Sequence, residues 1–208
     1  MWEKLFGFPV AIEGLFSNPL FVIGLIVAFA AVFLAFQYIP WLDQNAERVV
    51  IVFAFGACTL IVAVEVFRRY VFSEQAPWST YVPSYLFLWI TWLGCSYCVR
   101  LRLHLNFGEI RDRLPRPAQY VLMQFDYLLY LVFAVIVFYW SLDLAALHFD
   151  MESIVPGTDD VPSWVFYSAT PLGWGLLLVR VLQNAVEDFR DLRSGQPLKL
   201  HGSMVGLD

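Results

Sequence analysis

The chain has 208 residues, of which 60% are hydrophobic, 18% are aromatic and only 15% are charged. Soluble domains contain about 45 to 50% apolar and about 25% charged residues. A soluble domain of this size could not bury so many apolar side chains in its core, so the composition excludes that class of protein. The formal net charge of -5 argues against nucleic acid as a partner, because phosphate binding needs clustered Lys and Arg. We therefore predict a protein that lies in membrane lipid.

Five intervals without Asp, Glu, Lys or Arg account for the apolar excess. They lie between Glu13 and Asp43, Arg48 and Glu65, Glu74 and Arg100, Asp126 and Asp143, and Asp160 and Arg180. About 20 apolar residues in a helix cross a hydrocarbon core of about 30 Å, so each interval, with a few flanking residues, can span a bilayer. Backbone amides cannot stay unpaired in hydrocarbon, so the chain is predicted to be an all-α integral membrane protein.

In chain order, the predicted spans are about Leu20 to Leu42, Arg48 to Phe72, Pro77 to Val99, Ala118 to Leu142, and Val161 to Gln183. The stretch before the first span is interrupted by Gly and Pro and is expected to lie at the membrane interface. The first span is expected to remain in the mature protein, since its apolar residues continue to Phe36.

Lys and Arg predict the orientation of these spans. The loop between spans three and four contains Arg100, Arg102, Arg111, Arg113 and Arg116, and the C-terminal region contains Arg180, Arg190, Arg193 and Lys199. The loop between spans four and five instead contains Asp143, Asp150, Glu152, Asp159 and Asp160. By the positive-inside rule the first two regions are cytoplasmic, the acidic loop is external, and the N-terminus is outside.

Arg68 and Arg69 oppose this assignment, because they end the second span on the predicted external side. Glu65 precedes them by three and four residues, which places all three on one helical face. We predict that Glu65 pairs with these arginines and weakens their effect on orientation.

Arg100, Asp126 and Arg180 are further charged residues within or at the ends of predicted spans. An unpaired charge in the membrane costs a few kcal/mol or more, so such residues need a partner. We predict a structural ion pair at the helix ends, formed by Asp126 with the arginines. An ion or proton path is the alternative, and it would need more polar residues at mid-depth.

Two further features suggest close helix packing. Trp89 and Trp92 share one helical face of the third span, where they are expected to pack or to face lipid, and a partner-binding stripe is the alternative. Pro171 and Gly173 predict a break in the fifth span, since Pro removes a backbone hydrogen bond and Gly admits a close neighbour. A packing kink is favoured there over a substrate or ion site.

Reactive groups that converge within the spans are few. His104, His148 and His201 all lie outside the predicted spans, which disfavours a haem held by two histidines. Cys95 and Cys98 have C-x-x-C spacing but lie within a span, where helix packing is the favoured interpretation. The sequence lacks P-loop, G-x-G-x-x-G and H-E-x-x-H motifs. No catalytic residue, cofactor site or metal site is predicted.

Several segments in order resemble the small membrane subunit of tripartite ATP-independent periplasmic (TRAP) transporters, the DctQ type. Residues 65–72 read EVFRRYVF, residues 76–78 read APW, and residues 88–94 read LWITWLG. Arg100 and His104 follow, and PLG at 171–173 and LVR at 178–180 resemble the family's final helix. The resemblance covers roughly Arg48 to Asp188.

The chain departs from the family pattern at two places. Ser79, Thr80 and Tyr81 follow Trp78 where the family usually has two acidic residues, and Gly108 stands where Asp is common. The family core has four helices. The resemblance therefore implies an interfacial segment and an extra N-terminal transmembrane helix in 1–47, a four-helix membrane domain in 48–188, and a cytoplasmic tail in 189–208.

The resemblance implies a non-enzymatic scaffold subunit in the bacterial inner membrane. Its expected partners are a large transmembrane subunit, a periplasmic substrate-binding protein and membrane lipid, and the expected transport is sodium-driven import of a small carboxylate or sulfonate. The external loop from Asp143 to Asp160, with Asp159 and Asp160 as its charges to test, and the loop from Arg68 to Tyr81 are candidates for contacting the soluble partner. The alternative is a membrane anchor of a redox complex or a small membrane enzyme.

Overall fold

The computed structural model describes residues 19–103 and 114–194. Within these ranges the chain forms six helices: α1 Pro19–Tyr38, α2 Pro40–Phe72, α3 Trp78–Arg100, α4 Arg116–Asp150, α5 Trp164–Tyr167 and α6 Ala169–Ser194. Helices α2, α3 and α4, and α5 with α6 taken together, are each long and apolar enough to cross a membrane, and α1 is a shorter apolar helix. The predicted fold class is confirmed: the protein is an all-α integral membrane protein.

The first boundary differs from the prediction in a way that matters for the site. Helix α1 ends at Tyr38 rather than Leu42, and α2 begins at Pro40, eight residues before the predicted start at Arg48. Ile39 between them is extended, with φ -114° and ψ 90°. Proline favours the first helical position because its ring fixes φ and its missing N–H has no partner there. As a result, Asp43 and Glu47 lie on a helix instead of in a loop.

The later helices also continue past their apolar segments. Helix α4 runs to Asp150 rather than Leu142, and α6 runs to Ser194 rather than Gln183, since backbone hydrogen bonding does not stop where hydrophobicity falls. The predicted break near Pro171 lies at Ser168, between α5 and α6. Pro171 is in the first turn of α6, where its missing N–H costs no bond within the helix.

Helix α6 is the most buried of the long helices and forms the centre of the bundle. Leu177, Val179 and Val181 on α6 are almost fully buried, and α3 and α4 pack against this helix. Gly173 sets the distance between α6 and α3, because a Cβ at this position would lie 2.6 Å from Trp92 Cβ. Trp92 also packs on Trp174, with ring centroids 5.5 Å apart.

The loop 151–163, here called the acidic loop, lies against the α2–α3 connection at one end of the bundle. Gly157 adopts φ +80°, a backbone conformation that favours glycine. A Cβ at this position would also lie 2.6 Å from the Pro77 carbonyl carbon, so there is no space for a larger side chain. A bridge between Ile154 and Pro162 closes the loop. The ring of His148 at the end of α4 stacks on Tyr167, with centroids 3.8 Å apart. These contacts fix the acidic loop to the helices.

Candidate functional site

A buried arginine at the opposite end of the bundle organises the strongest polar contacts of the chain. Arg180 on α6 has a side chain that is 1% exposed, and Glu47 on α2 is buried equally well. Arg180 Nε donates to Glu47 Oε1 and Nη2 donates to Glu47 Oε2, each at 3.0 Å. This two-bond pairing is the geometry in which arginine binds a carboxylate most strongly.

The remaining donors of Arg180 are also satisfied within the chain. Nη1 donates to Asp43 Oδ1 and to Gln183 Oε1, and Nη2 donates to the Asp43 carbonyl oxygen. A guanidinium has five N–H groups, so every one of them has an acceptor here. The Phe36 ring of α1 covers the guanidinium at 4.3 Å. These contacts hold the guanidinium in place, and no N–H group of Arg180 is left to bind another ion.

Two residues of α3 complete this group, which we call the Arg180 cluster. Ser96 Oγ donates to Glu47 Oε1 at 2.6 Å. Arg100 lies 3.5 Å from Asp43 and donates from Nη1 to the Gln44 carbonyl oxygen. Helices α1, α2, α3 and α6 therefore meet at the cluster. We call this end of the bundle the arginine end.

A second polar group lies beside the Arg180 cluster. Arg102, just after α3, donates to Asp188 Oδ1 at 2.7 Å and lies 3.4 Å from Glu187. Tyr127 of α4 donates to Asp188 Oδ2 at 2.6 Å, and Asn184 donates to the Val99 carbonyl oxygen. Burial opposes the charged form of Arg102, but Tyr127, Asp188 and Glu187 outweigh it and raise the pKa of the guanidinium. This group ties α3 and α4 to α6.

Ion pairs at the helix ends were predicted correctly for Arg100 and Arg180, but Asp126 was the wrong choice as their acidic partner. Arg180 and Arg100 do form ion pairs, but with Asp43 and Glu47, because the early start of α2 brings these carboxylates against α6. Asp126 lies half-buried on α4. The arginines therefore join α2 to α3 and α6.

The predicted pairing of Glu65 with Arg68 and Arg69 is also wrong. Glu65 Oε1 accepts a hydrogen bond from the Ala76 backbone N–H at 3.0 Å, and Arg68 lies 3.7 Å from Glu74. Ala76 is buried in the α2–α3 connection, so its N–H needs an acceptor, and Glu65 supplies one. Arg69 is exposed at the end of α2.

The other predicted residues that the structure describes lie outside the Arg180 cluster, in different parts of the bundle. Trp92 and Gly173 pack together inside the bundle, and Pro171 is buried nearby, whereas Trp89 is half-buried on α3. Asp159 and Asp160 are exposed on the acidic loop, and Trp78, at the start of α3, lies against that loop. His104, Arg111 and Arg113 lie outside the described residues.

The sequence prediction missed Glu47, Ser96, Asn184 and Asp188 as structural residues. One signal was available: Arg180, Asn184 and Asp188 are spaced by four, as are Asp43 and Glu47, so each set lies on one helical face. Among the described residues, no group of three or more His, Cys, Asp and Glu side chains is placed to hold a metal ion.

The outer faces of two helices contrast with this polar interior. Only 6% of the residues in the apolar segment of α2 and 11% of those in α4 are buried, against 56% for the span formed by α5 and α6. Phe53 and Phe67 on α2 and Phe125 and Leu129 on α4 are more than half exposed. These faces are available to lipid or to another membrane protein.

The chain matches a known family of membrane transport proteins. The family profile described as "Tripartite ATP-independent periplasmic transporters, DctQ component" matches residues 58–191. The matched region starts within α2 and includes α3, α4, α5 and most of α6. Helix α1 and the first half of α2, including Asp43 and Glu47, precede it.

Three curated proteins are similar to the chain. The C4-dicarboxylate TRAP transporter small permease protein DctQ of Vibrio cholerae is 24% identical, over 72% of this chain and 74% of that protein. Its namesake in Rhodobacter capsulatus is 26% identical, over 63% of this chain and 56% of that protein. The isethionate TRAP transporter permease protein DctMQ of Oleidesulfovibrio alaskensis is 26% identical over 72% of this chain. The chain spans only 24% of DctMQ.

Proposed function

The chain belongs to the DctQ component family of TRAP transporters, and we propose that it is the scaffold subunit of such a transporter, paired with a large transmembrane subunit. A periplasmic substrate-binding protein is the proposed third partner. In this role the chain is not an enzyme, and it binds the large subunit in the plane of the membrane.

The observation that carries the proposal is the contrast between the outer faces of α2 and α4 and the paired charges inside the bundle. Both faces are long, apolar and largely unburied within the chain. Association between membrane helices is driven by side-chain packing, so helix faces that stay unburied within the chain are available to pack against another membrane protein. The Arg180 cluster supports the same role, because its arginine is saturated by the chain's own acceptors and acts as a helix clamp.

The names of the relatives support a substrate class. One relative is named for isethionate, which is a sulfonate, and two are named for C4-dicarboxylates. All of these are small organic anions. We therefore propose import of a small carboxylate or sulfonate through a complex that contains this chain. The family resemblance further implies a sodium gradient as the driving force, which we include in the proposal.

The proposed orientation places the arginine end and the C-terminus in the cytoplasm of a bacterial cell. Arg100, Arg102 and Arg190 lie at this end, and the positive-inside rule favours the cytoplasm for such a group. The N-terminus and the acidic loop are then periplasmic. Asp159 and Asp160 are exposed there, and the contact of Gly157 with Pro77 and Trp78 joins both connecting loops into one surface. We propose this surface as a contact for the binding protein.

Uptake in a strain that lacks this chain tests the proposal. Cells with the gene deleted should lose sodium-dependent uptake of the transported sulfonate or dicarboxylate, and a plasmid copy should restore it. Replacing external sodium with potassium should abolish uptake in the complemented strain. Unchanged uptake after deletion would contradict the scaffold role, whereas uptake insensitive to sodium would contradict only the proposed coupling ion.

An absorption spectrum of the purified chain distinguishes the scaffold subunit from a membrane anchor of a redox complex. The scaffold proposal predicts a colourless preparation of the purified chain. A Soret band that co-purifies in stoichiometric amount would instead support the redox anchor.

A further inference from the structure

A cavity of about 380 Å³ lies beside the Arg180 cluster, between the C-terminal half of α1 and the C-terminal half of α6. Its volume falls within the range of about 300–1,000 Å³ that is typical of small-molecule sites. One wall is apolar and includes Phe33 and Phe36 of α1. The other wall is polar and includes Arg100 and, on α6, Gln183 and Arg190. The cavity therefore offers one surface to a charged group and another to hydrocarbon.

The position of the cavity along the helices matches the lipid headgroup layer. The apolar α1 ends at Tyr38, and the first charged residue after it is Asp43, which lines the cavity. Arg100 ends α3 at the same level. Charged residues that close apolar spans mark the boundary between hydrocarbon and headgroups. Phe33 lies one turn inside this boundary and Arg190 lies on its polar side.

One arginine at the cavity is placed to bind an anion. Of the three arginines that line it, Arg180 is paired with the buried Glu47 and Arg100 is paired with Asp43, which leaves Arg190. All five N–H groups of Arg180 are taken up by the chain. No ion pair between described residues involves Arg190, whose side chain is exposed. The donors left for a ligand are therefore those of Arg190, with support from Arg100.

We propose that this cavity binds the phosphate of an anionic glycerophospholipid, such as phosphatidylglycerol. Arg190 and Arg100 bind the phosphate, and Phe33 and Phe36 contact the first carbons of the acyl chains. Basic pockets between transmembrane helices are suited to anionic lipid headgroups in this way.

The site does not depend on the transporter role proposed above. Its apolar wall comes from α1, which precedes the region that matches the family, whereas Arg190 comes from the last turns of the matched region. Bound lipid would fill the space between α1 and α6 and hold α1 against the bundle. The lipid site can therefore be tested on the isolated full-length chain.

Native mass spectrometry of the full-length chain in mild detergent tests the proposal. Phosphatidylglycerol should bind at one site and more tightly than phosphatidylcholine. Arg190→Gln should weaken the binding of phosphatidylglycerol roughly five-fold, the effect of about one surface arginine on an anionic lipid. Arg193→Gln is the matched control, because Arg193 lies on the same helix and is exposed but does not line the cavity. It should leave the affinity unchanged.

Three results would overturn the proposal. One is equal affinity for the two lipids, and another is equal behaviour of the Arg190→Gln and Arg193→Gln variants. The third is inorganic phosphate that binds the chain as tightly as phosphatidylglycerol does, which would identify a free-anion site without acyl contacts. Equal thermal stability of both variants ensures that a loss of lipid reflects the site and not unfolding.

Discussion

Arg180 and Glu47, which are 133 positions apart in the chain, form a two-bond ion pair in which both side chains are 1% exposed. The pair joins α6, the centre of the bundle, to the second turn of α2. Ser96 extends the contact to α3, and Phe36 extends it to α1. One buried pair thus fixes four helices at the arginine end of the bundle.

We expect Arg180→Met to destabilise the chain by about 3–5 kcal/mol, because it leaves the buried Glu47 carboxylate without its cation. The double variant Arg180→Met with Glu47→Gln should recover at least half of this loss, since neither buried charge remains. The measurement is unfolding in detergent micelles. Arg193→Gln, an exposed arginine on the same helix, is the control. An Arg180→Met variant as stable as this control would show that the cluster does not clamp the helices.

Gly173→Ala should destabilise the contact between α3 and α6 by about 1–3 kcal/mol, the typical cost of overpacking. The new methyl group would lie 2.6 Å from Trp92 Cβ and 3.0 Å from the Trp92 carbonyl carbon, so the backbone of α3 has to move. Gly56→Ala on α2 is the matched control, because nothing lies within 4 Å of the added carbon. Thermal unfolding should separate the two variants. Equal melting temperatures would contradict the close contact.

Cysteine labelling in whole cells tests the orientation. Asp159→Cys on the acidic loop should react with a membrane-impermeant thiol reagent added outside, and Ser194→Cys at the end of α6 should react only after the membrane is permeabilised. Both positions are exposed, so accessibility within the chain is matched. The native Cys58, Cys95 and Cys98 lie half-buried on membrane-spanning helices, and the parent chain gives their background. The reverse labelling pattern would invert the proposed topology.

Charge reversal tests the proposed contact of the acidic loop with the binding protein. Asp159→Lys with Asp160→Lys should raise the concentration of binding protein needed for half-maximal uptake several-fold, since exposed charges mainly change the rate of encounter. The difference from the parent should shrink at high ionic strength. Asp191→Lys, at the opposite end of the bundle, is the control. If both reversals leave the half-maximal concentration unchanged, the loop is not a docking surface.

Four of the five predicted spans were predictable because lipid imposes one simple requirement on composition, a long apolar helix with its charges at the ends. The helix ends were less predictable. Pro40 lies within the first predicted span, which ends at Leu42, but in the structure it begins the next helix, so Asp43 and Glu47 fell outside the predicted spans. The predicted spans therefore did not contain the true partners of Arg180. A contact between residues 133 positions apart depends on how α2 meets α6, which hydrophobicity does not encode.

The packing role of Gly173 was predictable from the sequence. Its sequence context indicated close packing, and the structure places it against Trp92, the residue whose helical face was predicted to pack. The carboxylate of Glu65 was harder to assign, because a local spacing of three and four residues favoured Arg68 and Arg69. The structure gives it a backbone N–H in the following loop instead, where burial of Ala76 decides the pairing.

The most direct test of the scaffold role is affinity purification of the tagged chain from native membranes under mild detergent. We predict recovery of one larger multi-span membrane protein in a fixed ratio to the chain. Replacing Phe53 and Phe67 on α2, or Phe125 and Leu129 on α4, with alanine should reduce its recovery while the bundle stays folded. Recovery of the chain alone from membranes that still support uptake would contradict the account.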